Sequence, residues 1–91
     1  AANAIIKSGS IINHSAVIDH DCSVGEYSHI APNTTLGGAS RIGMQCLVGA
    51  GSTILPNVCI GDFVVIGAGS VVTKNIPSNK KFAGHPARSI T

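Results

Sequence analysis

Tryptophan is absent from this chain of 91 residues, which holds only one Tyr and two Phe. A core of this size usually centres on several aromatic rings, so this one has to be aliphatic. Charge is also scarce: Asp, Glu, Lys and Arg make up 11% of the residues, against about a quarter in ordinary domains. A disordered tail would be rich in charge and poor in aliphatic residues, and is excluded. Six scattered Lys and Arg and a net charge of +2 make no basic stripe for nucleic acid. No apolar run reaches membrane-spanning length; the longest, Phe63 to Val72, is broken by Gly67 and Gly69. No signal peptide is visible, and the three cysteines form no CxxC pair. A reducing, cytoplasmic compartment is expected. The length allows one small domain. Without an initiator Met, and opening on Ala1-Ala2-Asn3-Ala4, the chain is expected to be an excerpt.

What is present is a repeat. Of the 23 Ile, Leu and Val residues, chance would put about four in each class of position modulo six. The multiples of six hold thirteen, without a gap from Ile6 through Ile12, Ile18, Val24, Ile30, Leu36, Ile42, Val48, Ile54, Ile60 and Ile66 to Val72. Two positions earlier stands a small or β-branched residue every time, among them Cys22, Ser28, Thr34, Ser40, Cys46 and Ser52. Gly directly follows the aliphatic residue six times in twelve. A helix cannot use this spacing, because six residues turn the side chain by roughly 240°. A strand can, because six is even and side chains alternate faces. The chain therefore reads as very short strands separated by bends, wound into a solenoid. Gly, or Asn13 and Asp19, just after each aliphatic residue is expected to take the unusual backbone angles of a corner.

The pattern resembles the hexapeptide-repeat, left-handed parallel β-helix of acyltransferases, in which three hexads close a triangular coil of 18 residues. That resemblance implies an all-β fold of about four coils over residues 1–75, about 18 Å tall at ~4.8 Å per coil. Residues 76–91, with Ile76-Pro77 and Gly84-His85-Pro86-Ala87, form an exit loop and C-terminal tail. So short a solenoid leaves its first coil uncapped; oligomerisation is expected, and the resemblance implies a homotrimer.

A narrower resemblance rests on Ile12-Asn13, on Ile18-Asp19-His20-Asp21-Cys22-Ser23-Val24-Gly25, on His29-Ile30-Ala31-Pro32, on Gly67-Ala68-Gly69-Ser70-Val71-Val72 and on the Gly-x-Pro-Ala tail. Together these resemble the sialic-acid O-acetyltransferase-like sugar acyltransferases. That group includes the N-acetyltransferases of UDP-4-amino-sugars in bacillosamine-type pathways. The resemblance implies acetyl-CoA as donor, a sugar or nucleotide-sugar acceptor, no metal, and an N-terminal nucleotide-sugar-binding domain that is absent here. His14 and His85 depart from the pattern and carry no implied role.

With 18 residues per coil, each residue turns about 20° around the axis. His20 and Gly38 then stack at one corner, with Pro56 and Lys74 above. Asn13, His29, Ala50 and Ala68 cluster at another. His20 and His29, nine apart, fall on opposite sides of one prism and can meet only between subunits.

Motif position and the adjacent Asp21 favour His20 as a general base over an ordinary exposed histidine, since imidazole exchanges a proton near neutral pH. Asp21 would orient the ring and stabilise its cation, while Asp19 reads as a turn residue. His29 is assigned to acetyl-CoA contact, and the backbone N–H of Gly38 to the thioester oxyanion. Ala50 and Ala68 leave room for the pantetheine arm, and as small packing residues they would look the same. Lys74, with Lys80 and Lys81, is a candidate for the CoA phosphates, although solvated lysines are commoner. Asn13 reads first as a turn residue and second as an acceptor ligand. Cys22 and Cys46 occupy inward slots, and Cys59 has no partner at metal-ligand spacing. Two other functions compete: a γ-type carbonic anhydrase using His14, His20 and His29 around an inter-subunit zinc, and a non-catalytic solenoid.

Overall fold

The structure is a computed structural model that describes residues 3–90. Each hexad gives one two-residue strand: β1 (Ile5–Ile6), β2 (Ile11–Ile12), β3 (Val17–Ile18), β4 (Ser23–Val24), β5 (His29–Ile30), β6 (Thr35–Leu36), β7 (Arg41–Ile42), β8 (Leu47–Val48), β9 (Thr53–Ile54), β10 (Cys59–Ile60), β11 (Val65–Ile66) and β12 (Val71–Val72). Successive strands lie on successive faces of a prism. The first face stacks β1, β4, β7 and β10; the second β2, β5, β8 and β11; the third β3, β6, β9 and β12. Every pairing among these twelve is parallel and joins residues 18 apart, as in Ile6 with Val24 and Leu36 with Ile54. Alternation then sends the second residue of each strand inward and the first outward.

The inward column is the core. From Val24 to Val72 each aliphatic residue at a multiple of six is buried, together with Cys22, Cys46, Val58 and Val64. The small polar residues two positions earlier are buried as well, and their hydrogen bonds explain why they are tolerated there. Ser28 Oγ donates to the Gly43 carbonyl (2.6 Å), Thr34 Oγ1 to Gly49 (3.2 Å) and Ser52 Oγ to Gly67 (3.1 Å). The thiols of Cys22 and Cys46 reach the Gly37 and Gly61 carbonyls at 3.1 and 3.0 Å. These five inward groups thus satisfy a carbonyl of the next coil. Ser70 Oγ donates instead to the Gly67 carbonyl of its own coil, and among the described residues no buried side-chain N or O lacks a partner.

The corners differ from expectation. The left-handed residue is not the one after the aliphatic residue but the one midway between successive aliphatics. Asn3, Gly9, Ser15, Asp21, Tyr27, Asn33, Ala39, Gln45, Gly51, Asn57, Phe63 and Gly69 all have φ between +49° and +72°. Gly, Asn and Asp fill seven of these twelve places, as the steric cost for other residues leads one to expect. Five of the six glycines that follow the aliphatic residues, all but Gly67, serve close approach instead. A Cβ on Gly25 would lie 2.5 Å from the Gly43 carbonyl carbon, and one on Gly49 would lie 2.6 Å from the Ala68 nitrogen. Coils stack backbone on backbone there, and only hydrogen fits between them.

The residues after Val72 close the upper end of the prism. Ile76, fully buried, bridges to Ile60, and Phe82 in β13 (Lys81–Gly84) pairs in parallel with Ile66. Both partners are sixteen apart rather than eighteen, so this last coil is two residues short. β13 then turns back into antiparallel β14 (Ala87–Ser89), and Phe82 and Ala87 pack on the core.

Candidate active site

His20 stands at the corner between the third and first faces, after β3. Its backbone N–H donates to Asp19 Oδ1 at 2.7 Å, and its Nδ1 lies 3.2 Å from Asp21 Oδ2. Asp21 has φ 59°, so the left-handed corner place belongs to Asp21, and the sequence expectation that placed it at Asp19 is corrected. Asp19 serves the turn through its carboxylate, by capping the His20 amide. With a carboxylate facing Nδ1, that nitrogen carries the ring proton and Nε2 is left as the basic atom. Both side chains are open to solvent, His20 at 63% and Asp21 at 55%.

Gly38 lies over the imidazole. A Cβ there would sit 2.7 Å from His20 Nε2 and 2.8 Å from Cε1, so the ring occupies the space that any other residue's side chain would need. The stack is held by Ala39 N–H donating to the His20 carbonyl and Asn57 N–H to the Gly38 carbonyl, both at 2.9 Å. Among the described residues the Gly38 N–H has no acceptor. Pro56 continues this column, and Lys74 is exposed two residues beyond β12.

A second cluster occupies the second face and its far edge. Asn13 Nδ2 lies 3.3 Å from His29 Nε2, and Asn13 N–H donates to the Ile30 carbonyl at 2.9 Å. The amide facing Nε2 leaves Nδ1–H of His29 as that ring's donor. Beside them Gly51 N–H donates to the Pro32 carbonyl and Gly69 N–H to the Ala50 carbonyl. Ala50 and Ala68 therefore follow Pro32 up a column of small side chains. The packed core separates this cluster from the His20 corner, so one chain brings His20, Asp21 and Gly38 together but not His20 and His29.

Among the described residues no three His, Cys, Asp or Glu side chains of one chain gather at metal-binding distance. His14, His20 and His29 point from two corners and a face. Cys46 is buried, and burial pushes its thiol pKa up. Among the described residues no helix is long and apolar enough to cross a membrane.

One feature was missed by reading the sequence. On the first face, beside Asp21, lies a cavity of about 250 Å³ lined by Ile5, Lys7, Asp21, Cys22, Ser23 and Arg41. The spacing of 18 that aligns His20 with Gly38 also aligns Ile5, Ser23 and Arg41, so the signal was present but unused.

The family described as bacterial transferase hexapeptide (six repeats) matches at residues 3–38 and 39–74. A UDP-3-O-acylglucosamine N-acyltransferase of Helicobacter hepaticus is 33% identical over 82 residues, covering 90% of this chain and 25% of the relative. A serine acetyltransferase of Synechococcus elongatus is 37% identical over 97 residues, covering 96% and 40%. The chain thus spans well under half the length of these relatives. Among solved structures, the acetyltransferase domain of PglB from Neisseria gonorrhoeae, in complex with acetyl coenzyme A, superposes with a TM-score of 0.87 at 30% identity. That alignment covers 99% of this chain and 53% of the other. PerB from Caulobacter crescentus, in complex with CoA and GDP-perosamine, gives 0.86 at 26% identity, covering 98% and 55%. With four coils matching the left-handed β-helix of those proteins and its repeats matched over residues 3–74, the chain belongs to the bacterial transferase hexapeptide family.

Proposed function

We propose that this chain is the acetyl-transfer module of an acetyl-CoA-dependent sugar acetyltransferase of the sialic-acid O-acetyltransferase-like group. It works as a homotrimer in the cytoplasm and acts on an amino or hydroxyl group of a sugar, most naturally a nucleotide-linked one. The observation that carries this reading is the His20–Asp21 pair lying on Gly38. Acetyl-CoA supplies the acetyl group when bound. His20 Nε2 takes the proton of the acceptor amine or hydroxyl as that atom attacks the thioester carbonyl, then returns it to the departing thiolate. Asp21 holds the ring with Nδ1 protonated and steadies the imidazolium. The unpaired N–H of Gly38 is available to the charge that develops on the carbonyl oxygen.

The separation of the two clusters within one chain supports a groove built by two subunits. His29, held by Asn13, would face donor or acceptor from the second wall. Ala50 and Ala68 leave the groove open for the pantetheine arm, and Lys74 is offered to the CoA phosphates. A serine acetyltransferase as a near relative favours a second reading, in which the acceptor is an amino-acid hydroxyl and the same base acts on it.

Thiol release from acetyl-CoA with UDP-4-amino-sugar, sialic acid and serine in parallel separates these acceptors. His20→Ala should lower kcat by about 10²–10⁴-fold with little change in acetyl-CoA binding, because the base acts on the proton in transfer. Turnover near that of the unchanged protein in His20→Ala would remove the mechanism.

A further inference from the structure

Lys and Arg are few in this chain and unevenly spread. Residues 1–73 contain two, Lys7 and Arg41, and the other four lie at position 74 or beyond. These two are 34 positions apart, yet both line the first-face cavity together with Ile5, Asp21, Cys22 and Ser23. Stacking brings them there. Ile5 pairs with Ser23 and Ser23 with Arg41 across β1, β4 and β7, and Lys7 is held at the face's edge by its N–H bond to the Val24 carbonyl. Among the described residues neither cation has an ionic partner, because the Asp21 carboxylate in the same cavity is turned to His20.

We infer that this cavity is an oxyanion-binding subsite that anchors the acceptor, with Arg41 and Lys7 as its ligands. The inference rests on the reading of His20 as the base for acetyl transfer. Two cations against one carboxylate leave the cavity attractive to an anion. Arg41 offers a planar fork that matches phosphate or carboxylate through two N–H bonds, and Lys7 adds a mobile point charge. The volume of about 250 Å³ falls below the ~300–1,000 Å³ of pockets for whole ligands. It suits one charged group of a larger molecule. Asp21 links the two places, since it walls the cavity and meets His20 Nδ1 at 3.2 Å. An acceptor anchored here would have its charge one side chain away from the base, which limits where its amine or hydroxyl can lie.

Pyrophosphate and acetate, titrated separately into the protein at low salt, test the subsite through the amide resonance of Ser23 and the Nε–H resonance of Arg41. One of the two anions should saturate these shifts, pyrophosphate for a phosphate-bearing acceptor and acetate for a carboxylate-bearing one. Lys7→Ala and Arg41→Ala should each weaken that anion by about tenfold, as loss of a charged hydrogen bond does. Both side chains are exposed, and an unchanged thermal midpoint checks that the variants fold. Saturation by neither anion, or equal affinity in the double variant, overturns the subsite. No acetyl-CoA or acceptor is present in this titration. Anion binding without acetyl transfer would keep the subsite and defeat the proposed activity; acetyl transfer without anion binding would do the reverse.

Discussion

The two ends of this solenoid obey one repeat and come out unlike each other. In the first coil the inward Ile6 is 42% exposed, and Ile12 and Ile18 are only half-buried. Two coils higher, Ile54 occupies an equivalent slot at 0% exposure. Nothing in the hexad separates them; the difference lies in having a coil on both sides. At the upper end the short coil of Ile76, Phe82 and Ala87 supplies that second neighbour. A solenoid repeat therefore fixes where a side chain points, while stacking decides what that placement contributes. The chemistry follows the same divide. Asn13, His20 and Asp21 lie in the lower, open part, and their contacts to His29 and Gly38 reach into the coil above. Apolar burial is concentrated in the closed part.

The largest expected contrast breaks this comparison most directly. Ile54→Ala removes a buried side chain with neighbours above and below and should cost about 2–5 kcal/mol in denaturant unfolding. Ile6→Ala should cost less than about 1 kcal/mol, since much of the side chain already meets water. Equal losses would mean that the first coil is covered in solution, by other chain or by another subunit, and the comparison of ends would fail.

A smaller contrast separates the two kinds of glycine. Gly49→Ala forces a Cβ to within 2.6 Å of the Ala68 nitrogen in the next coil, and such overpacking typically costs about 1–3 kcal/mol. Gly51, at φ +71°, has open space around it and shares its corner place with Asn33 and Asn57. Gly51→Asn should change stability by less than ~0.5 kcal/mol, as surface substitutions usually do. Thermal melts of the two variants check this, and a reversed order would restore the expectation that the glycines after the aliphatic residues serve the backbone angle.

That reversal concerns the part of the fold that sequence reading missed. The inward column was legible because the aliphatic residues recur every six positions, an even period that alternation keeps on one face; the coil of eighteen, and with it the stacking of His20 on Gly38, came from the family resemblance. The corner was not. Gly25, Gly37 and Gly43 recur after the aliphatic residue, and frequency alone suggests a left-handed residue there. The place that is left-handed favours Gly, Asn and Asp but also holds Ser15, Tyr27, Ala39, Gln45 and Phe63, so composition hides it. Asp19 and Asp21 exchanged their turn assignments for this reason. The Lys7–Arg41 cavity was obscure for another: its residues carry no motif, and only the stacked register brings them together. The fifth coil was obscured by its length of sixteen, which takes Ile76 and Phe82 out of phase with the hexads.

An effect that emerges only in alkali tests the buried polar column. Cys46 occupies a slot that Ser fills at positions 28, 40, 52 and 70, and its thiol makes the same bond to a corner carbonyl, Gly61 at 3.0 Å. Ser therefore fits, and Cys46→Ser should change stability near pH 7 by less than ~1 kcal/mol. The two proteins should part in alkali. Burial raises the Cys46 pKa above its ordinary 9.0, so between that value and the folded one the native chain keeps a proton that the unfolded chain has lost. Stability that is fully present below pH 9.0 then falls as pH rises through the folded value, by at most about 1.4 kcal/mol per pH unit for one site. Ser has no proton to lose in this range, so the stability difference between variant and unchanged protein should shift in the variant's favour above pH 9.0. Urea unfolding of both proteins from pH 7 to pH 10.5 measures it. A difference that stays constant across that range would show that the folded thiol ionises as freely as the unfolded one, and that the column at Cys46 is open to water.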